Sequence, residues 1–259
     1  MIYRACAKVN IFLKIVGIRG DYHEICSRFI LVENLFDELS LVPKKTNQEF
    51  ELIGDFGCDL SHNTIFKAYK ALKKAGFKKE VEELFNKKAL HVCKHIPSFA
   101  GLGGGSSDAA TFLRVVNNEL NLGLNPKELA KMGLSAGADV PFFVYGYKSA
   151  NVRGIGEVIE KIDEESLHVE ISTPPIKCDT GKIYRVFRDD YSVDLVLADK
   201  MSKMNSYELL ETYSDIELND LLKAALKVDK EIQKYRKQGW FFSGSGSSFF
   251  RLKVKKQYG

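Results

Sequence analysis

The most informative segment of the chain is the one we call the glycine loop, Pro97-Ser98-Phe99-Ala100-Gly101-Leu102-Gly103-Gly104-Gly105-Ser106-Ser107-Asp108. Four of the five residues from 101 to 105 are glycine, and a helix is predicted from about Ser106 to Leu120. Glycine accepts positive φ values and lets backbone N–H groups approach a ligand closely. The N-terminus of a helix adds N–H donors and a partial positive charge. The segment therefore predicts a site for a polyphosphate.

The sequence does not match the consensus of two other phosphate-binding loops. A Walker A loop needs a lysine after its last glycine, and none follows here. A dinucleotide fingerprint needs a third glycine at the position of Ser106. The hydroxyls of Ser106 and Ser107 are candidates to bind phosphate oxygens or Mg²⁺. The alternative for the whole segment is a flexible turn capped by serine.

Outward from the loop, the pattern predicts an α+β protein with two lobes, residues 1–150 and 151–259, that meet near residue 150. Asn63 is a predicted helix N-cap, and Asn125-Pro126 is predicted to open another helix. A Gly/Ser turn between 240–242 and 248–254 predicts a terminal hairpin. Strands are predicted at 2–16, 25–31, 37–42, 89–96, 140–145, 152–162 and 167–173. Helices are predicted at 63–74, 106–120, from 125, at 181–188 and at 216–235.

Composition is that of a globular protein, with 45% hydrophobic and 28% charged residues. The net charge of +4 is too small to indicate a nucleic-acid partner, and it is compatible with an anionic substrate. The five cysteines, at 6, 26, 58, 93 and 178, form no CxxC element, and their odd number and wide spacing indicate reduced thiols. The first residues resemble no signal peptide or membrane span. We therefore expect a cytoplasmic protein.

Two further segments carry candidate catalytic side chains. In Ala7-Lys8-Val9-Asn10, strand alternation places Lys8 and Asn10 on one face. In Ala136-Gly137-Ala138-Asp139-Val140-Pro141-Phe142-Phe143, Asp139 lies in a turn of small residues before an apolar run. Taken alone, Lys8 is more typical of a solvated edge lysine, and Asp139 of an aspartate that caps a turn.

Together these segments resemble the GHMP kinase family. The glycine loop resembles its second motif, Lys8 and Asn10 its first, and residues 240–250 its third, which packs near the active site. Matches fall in order at 5–23, 97–110, 136–143, 178–184 and 240–250. The resemblance implies the two-lobed GHMP-kinase fold. Its N-terminal ATP-binding domain contains a left-handed-type βαβ element, and its C-terminal domain is a ferredoxin-like α/β sandwich. Phe99 departs from the small residue that the motif favours.

The resemblance also implies an activity. Residues 97–108 would bind ATP, accompanied by Mg²⁺ for which Ser107 is a candidate ligand. Asp139 would be the general base that takes the proton of a substrate hydroxyl, and Lys8 its electrostatic partner. A hydroxyl that attacks a γ-phosphoryl group needs positioning, a proton acceptor and charge neutralisation, so these residue types fit phosphoryl transfer.

Substrate choice within the family is indicated by Arg19-Gly20-Asp21-Tyr22-His23 and Cys178-Asp179-Thr180-Gly181-Lys182-Ile183-Tyr184. The first resembles R-x-D-G-Y-H, without its glycine before the tyrosine. By this resemblance Asn10, Tyr22, His23, Asp139, Thr180 and Tyr184 would bind substrate. The two tyrosines would stack on both faces of a cytosine ring, and His23 would bind its edge. The implied substrate is a cytidine diphosphate derivative of methylerythritol, phosphorylated on its 2-hydroxyl for isoprenoid synthesis.

Three alternatives remain open at this point. Another GHMP kinase, of homoserine or mevalonate type, would supply a glutamate near the magnesium, which we cannot place. A nucleotide-binding protein without catalysis would keep the loop but not need Lys8 and Asp139. An RNA-binding protein would need clustered basic residues, and these are dispersed. The expected partners are ATP and a small molecule, with no nucleic acid and no membrane, in a monomer or weak homodimer.

Overall fold

The computed structural model describes residues 1–253; Val254, predicted as the end of the last strand, lies outside them. The chain begins with two long paired strands, β1 (Tyr3–Arg19) and β2 (Tyr22–Pro43). Gly20 and Asp21 form the turn between them, and Gly20 has φ +59°. A glycine at the first turn position suits a two-residue hairpin. The turn therefore has a glycine at a position of positive φ, although the glycine before Tyr22 is missing.

Two compact units make up the chain. Unit 1 contains residues 1–7, 33–98 and 103–147, and of the described residues unit 2 contains 8–32, 99–102 and 148–253. Both β1 and β2 therefore contribute residues to each unit. The division at residue 150 into two folding domains stays a prediction.

Unit 1 combines a sheet with five helices. Strand β4 (Lys88–Cys93) pairs antiparallel with the end of β2 and parallel with β3 (Leu52–Ile53). The helices are α1 (Thr64–Leu72), α2 (Lys78–Lys87), α3 (Gly104–Glu119), α4 (Pro126–Leu134) and α5 (Val140–Tyr145). Short 3₁₀ and π segments lie at Leu60–His62 and Lys73–Phe77. As predicted, Asn63 caps α1 through its side chain and a helix, α4, opens at Asn125-Pro126; the Asn125 side chain caps that helix.

Aromatic side chains fill the core of unit 1. The ring of Phe50 lies 4.5 Å from that of Tyr69 and 4.8 Å from that of Phe85. Phe85 in turn lies 5.8 Å from Phe112 of α3. Such ring pairs stabilise the fold by more than the burial of their apolar area, so they hold α1, α2 and α3 in place.

Unit 2 contains the first part of β2, which pairs antiparallel with β5 (Ser149–Gly154), and β6 (Val158–Lys161), which pairs with β5. A second antiparallel sheet has the order β7 (Val169–Ser172), β9 (Phe249–Leu252), β8 (Phe241–Phe242). Helix α6 (Thr180–Asp190) packs against α10 (Asp220–Val228). The remaining helices are α7 (Leu195–Lys203), α8 (Ser206–Thr212), α9 (Asp215–Leu218) and the 3₁₀ segment Lys230–Tyr235.

Four sequence predictions need correction. Residues 25–31 and 37–42 belong to one strand, β2, and 152–162 is divided between β5 and β6. Residues 140–145 form helix α5 rather than a strand. Its first five residues are all buried, so periodicity could not separate the two, and Pro141 in the first turn suits a helix. Residues 216–235 break at Asn219, whose φ of −130° leaves the helix.

The terminal hairpin is confirmed, since β8 and β9 pair around the Gly/Ser turn. The α+β class is confirmed as well. Among residues 1–253, no helix is both long and apolar enough to cross a membrane.

Candidate active site

In unit 1, helix α3 begins within the glycine loop. Its N-cap is Gly103 and its first residues are Gly104 and Gly105. The hydroxyl of Thr64 donates to the carbonyl oxygen of Gly105 at 2.6 Å, which ties α1 to the first turn of α3. Amides of a first helical turn have no partner inside the helix, so this end of α3 offers N–H donors to an anion.

In unit 2, Gly101 packs against the residues that we call the C-terminal turn, 243–248. Its φ is +74°, and a methyl group on its Cα would lie 2.2 Å from the carbonyl oxygen of Ser243. The Ser243 hydroxyl donates to the carbonyl oxygen of Gly101 at 3.1 Å, and the Ser248 N–H donates to that of Ala100 at 3.1 Å. This position therefore requires glycine, and the C-terminal turn supports the glycine loop as the family resemblance implied.

Phe99 stands where the family motif favours a small residue. It has φ +56°, in the left-handed region, and its side chain is 50% exposed. A residue with a Cβ atom has a conformational cost in this region that glycine avoids.

Lys8 and Asn10 lie on one face of β1, as predicted. The ammonium of Lys8 donates to Asn10 Oδ1 at 2.6 Å and to the carbonyl oxygen of Gly101 at 3.1 Å. Asn10 Nδ2 donates to Ser27 Oγ at 3.0 Å, which fixes the amide. Lys8 is 3% exposed, so its reading as a solvated edge lysine is wrong. Asn10 holds the lysine in place, and its contact with substrate stays a prediction.

Asp139 directly precedes α5 in unit 1. Its side chain makes no capping hydrogen bond to that helix. A methyl group on Gly137 would lie 3.2 Å from Ser106 Oγ, so the turn at 136–139 lies beside the start of α3. Its role as base, and its pairing with Lys8 of unit 2, stay predictions.

The predicted base-binding residues differ in exposure. Tyr22 is 61% exposed, whereas His23 is 9% exposed because neighbouring strand residues alternate. The His23 ring lies 4.9 Å from that of Tyr184 on α6, tilted by 43°. The stacking of Tyr22 and Tyr184 on both faces of one ring stays a prediction.

The imidazole of His23 has an unused polar atom. Its Nε2 is buried and has no hydrogen-bond partner among residues 1–253. Burial, and then the nearby guanidinium of Arg188, lower the pKa of His23 below its ordinary value. The ring is therefore neutral near pH 7 and able to donate or accept one hydrogen bond at Nε2.

Thr180 begins α6, whose N-cap Asp179 accepts a hydrogen bond from the Lys182 amide. The Thr180 hydroxyl lies 2.7 Å from that of Ser245 in the C-terminal turn. The two segments that the sequence analysis matched separately, 178–184 and 240–250, are thus in contact within unit 2.

The sequence analysis did not identify Arg188, Lys94 and Asp37 as residues of these surroundings. Arg188 lies one helical turn after Tyr184, and that spacing on α6 was the available signal. Lys94 forms ion pairs with Asp37 and with Asp108, which is fully buried at the end of the glycine loop. For Lys94, a single lysine before the glycine loop, no sequence pattern indicated these ion pairs. Ser107, a candidate magnesium ligand, is 2% exposed.

Comparisons with known proteins show the family of this chain. The model of the GHMP kinases N terminal domain matches residues 63–147. A "4-diphosphocytidyl-2-C-methyl-D-erythritol kinase" of Sulfurimonas denitrificans is 53% identical, over 98% of this chain and 98% of its own. One of the same name from Sulfurovum sp. is 48% identical, over 96% and 98%. 

A crystal structure of 4-(cytidine 5'-diphospho)-2C-methyl-D-erythritol kinase superposes with a TM-score of 0.72 at 28% identity, over 97% of this chain and 90% of that one. The chain is thus similar to these kinases over nearly its full length, both in sequence and in fold. The chain therefore belongs to the 4-diphosphocytidyl-2-C-methyl-D-erythritol kinases of the GHMP kinase family.

Proposed function

We propose that the chain transfers the γ-phosphoryl group of ATP to the 2-hydroxyl of 4-diphosphocytidyl-2-C-methyl-D-erythritol, a step of non-mevalonate isoprenoid synthesis. The hydroxyl oxygen forms a bond to the γ-phosphorus while the bond to the β–γ bridging oxygen breaks. ADP leaves, and the hydroxyl proton passes to the carboxylate of Asp139. Such a reaction depends on positioning and charge stabilisation rather than on a covalent intermediate.

One observation carries the proposal: the Lys8 ammonium is held 2.6 Å from Asn10 and 3.1 Å from the carbonyl oxygen of Gly101. A buried cation attached to the glycine loop can stabilise negative charge that develops during transfer. Lys8 would thus act on the phosphoryl group and the attacking hydroxyl, and the amides at the start of α3 would bind the phosphates.

For the cytosine, His23 supplies the chemistry that recognition needs. In a buried, neutral imidazole, an unpaired Nε2 costs folding free energy, and a ligand that forms a hydrogen bond with this atom removes that cost. A pyrimidine edge offers both donors and acceptors, so it can do so. Tyr22 and Tyr184 would stack on the ring, and Thr180, next to the C-terminal turn, would contact the remainder of the substrate.

Mg²⁺ would accompany the ATP phosphates, whose charge it neutralises. Of the loop hydroxyls, Ser106 is more accessible than Ser107, and Asp108 is already paired with Lys94. The donor set therefore fits an ion held chiefly by nucleotide oxygens and water, with few protein ligands. We further propose a cytoplasmic enzyme, monomeric or weakly dimeric, whose ligands are ATP and this small molecule.

The test is an assay of the purified chain with ATP and Mg²⁺ against three alcohols. We expect turnover of the cytidylated substrate only, with phosphate on the 2-hydroxyl by ³¹P NMR, and none of homoserine or mevalonate. Turnover of homoserine or mevalonate, with none of the cytidylated compound, would reject the proposal.

A further inference from the structure

Lys94 joins two buried carboxylates in unit 1. Its ammonium lies 2.6 Å from Asp108 Oδ2 and also binds Asp37 Oδ2. Asp37 and Asp108 are both fully buried. Buried ions are retained only with close partners, because their desolvation is costly. One lysine here offsets two carboxylates, so each of the three depends on the others.

The other oxygen of Asp37 fixes the strand that leads into the glycine loop. Asp37 Oδ1 accepts hydrogen bonds from the amides of His95, at 2.5 Å, and Ile96, at 2.8 Å. Pro97, the first residue of the loop, follows directly. Asp37 therefore fixes the backbone immediately before the loop.

Asp108 fixes the other end of the loop. It lies in the second turn of α3, after the loop glycines. A methyl group on Gly104 would lie only 2.9 Å from the Ile96 side chain, so the entry and the exit of the loop are in close contact. The ion pairs bridge the same two ends. The distance between the two ends of the loop determines the direction in which the backbone N–H groups between them point.

We propose that Lys94, with Asp37 and Asp108, is a positioning residue that holds the glycine loop in its ATP-binding shape. The proposal rests on the proposed function, because it assumes that the loop binds ATP. Lys94 acts through the loop backbone, so its loss should affect nucleotide affinity more than affinity for the alcohol substrate.

The test uses Lys94→Met and the nearly isosteric Asp108→Asn. We expect each to weaken binding of a non-hydrolysable ATP analogue by about 10-fold or more, which corresponds to about 1.4 kcal/mol. KM for the alcohol should change less than about twofold. Should Lys94→Met fail to fold, Asp108→Asn carries the test.

Glu164→Gln is the matched control, because Glu164 is likewise a carboxylate paired with a buried cation, Arg28 of unit 2. It should lower thermal stability and leave analogue affinity unchanged. If Asp108→Asn weakens the analogue no more than Glu164→Gln does, the positioning role is wrong. If the unmodified chain itself binds no analogue, the proposed function fails instead.

A separate observation concerns the opposite face of the same two strands. Residues Glu38, Cys93 and His95 alternate with Asp37 and Lys94, so their side chains lie on the outer face. Glu38 and Cys93 are direct partners in the β2–β4 register. Ligand atoms of the three lie within 4.8 Å of one another, and all three residues are at least partly accessible.

The geometry points to a Zn²⁺-class binding site formed by Glu38, Cys93 and His95. Thiolate, imidazole and carboxylate are the ligands that Zn²⁺ takes in proteins, and three of them leave a fourth position for water.

The probe is Co²⁺, added to the reduced chain without nucleotide, because a cobalt–thiolate bond gives a charge-transfer absorption. We expect one equivalent to bind with this absorption, and Zn²⁺ to displace it. Cys93→Ser should abolish the absorption. Cys58→Ser, which removes another exposed cysteine of unit 1, should not. Absence of the absorption in the unmodified chain, or its persistence in Cys93→Ser, would overturn the site.

Discussion

The ammonium of Lys8 lies 3.1 Å from the carbonyl oxygen of Gly101, which joins strand β1 to the glycine loop within unit 2. The same carbonyl accepts from the hydroxyl of Ser243 in the C-terminal turn. Three segments far apart in sequence therefore meet at one backbone oxygen. The backbone at Gly101 is consequently fixed from two sides.

Gly101→Ala should damage both stability and ATP binding. The new methyl would lie 2.2 Å from a backbone oxygen, which cannot move as the end of a flexible side chain would. Gly239 has nearly the same φ, +75°, with nothing within 4 Å of such a methyl. Gly239→Ala should therefore cost only the left-handed backbone penalty, about 1–2 kcal/mol. Denaturant unfolding and ATP titration measure both effects; equal losses for the two variants would contradict the account.

Asp139→Asn should lower kcat by about 10²–10⁴-fold, because it removes the proton acceptor while keeping the shape of the side chain. ATP affinity should change little. Asp194→Asn is the control, since Asp194 caps α7 and an asparagine preserves that cap. Near-normal kcat in Asp139→Asn would show that another group takes the proton.

Tyr22→Ala and Tyr184→Ala should each raise KM for the cytidylated substrate by about 10-fold, since one stacking contact is worth about 1–3 kcal/mol. KM for ATP should stay constant in both. Tyr235→Ala, at an exposed position of the 3₁₀ segment, is the control. An unchanged substrate KM in either tyrosine variant would remove that residue from the base-binding site.

Substrate affinity should depend on pH through His23. Burial and Arg188 lower the pKa of His23 below 6.5, so the ring is neutral above that value. Substrate KM should be flat from about pH 8 to 6.5 and rise at lower pH as the ring takes a proton. His23→Gln, neutral throughout, should lack this rise. A rise already between about pH 8 and 7 in the unmodified chain would contradict a lowered pKa.

The stability of the fold should also decrease at low pH because of His23. Because the folded pKa of His23 is lowered, the unfolded chain binds the proton first as pH falls. The contribution of His23 is thus fully present above about pH 6.5 and is lost as pH falls below it. Urea unfolding of the unmodified chain and of His23→Gln should diverge only in the acidic range; a constant difference would exclude this linkage.

Sequence alone predicted the elements that local chemistry determines. The helix that starts at the glycine run, the N-cap Asn63 and the helix opened by Asn125-Pro126 are local signals, and all three were confirmed. The Lys8–Asn10 face followed from strand alternation. Residues 140–145 were misread because a wholly buried apolar run has no informative period.

Relationships across the chain could not be predicted in this way. Asn219 interrupts the expected long helix and donates to the carbonyl oxygens of Phe242 and Gly244, a tertiary contact without a local signature. The pairing of Lys94 with Asp37, 57 residues earlier, is likewise set by the β2–β4 register. Neither could be seen before the strands were paired.

The most direct measurement is the single-turnover rate, at saturating ATP and cytidylated substrate, of Lys8→Met, Asp139→Asn and the double variant. Residues that act on the same hydroxyl are not additive, so the double variant should be no more than about 10-fold slower than the slower single variant. A double variant whose loss equals the product of both single losses would mean that Lys8 and Asp139 act independently, and would contradict the account.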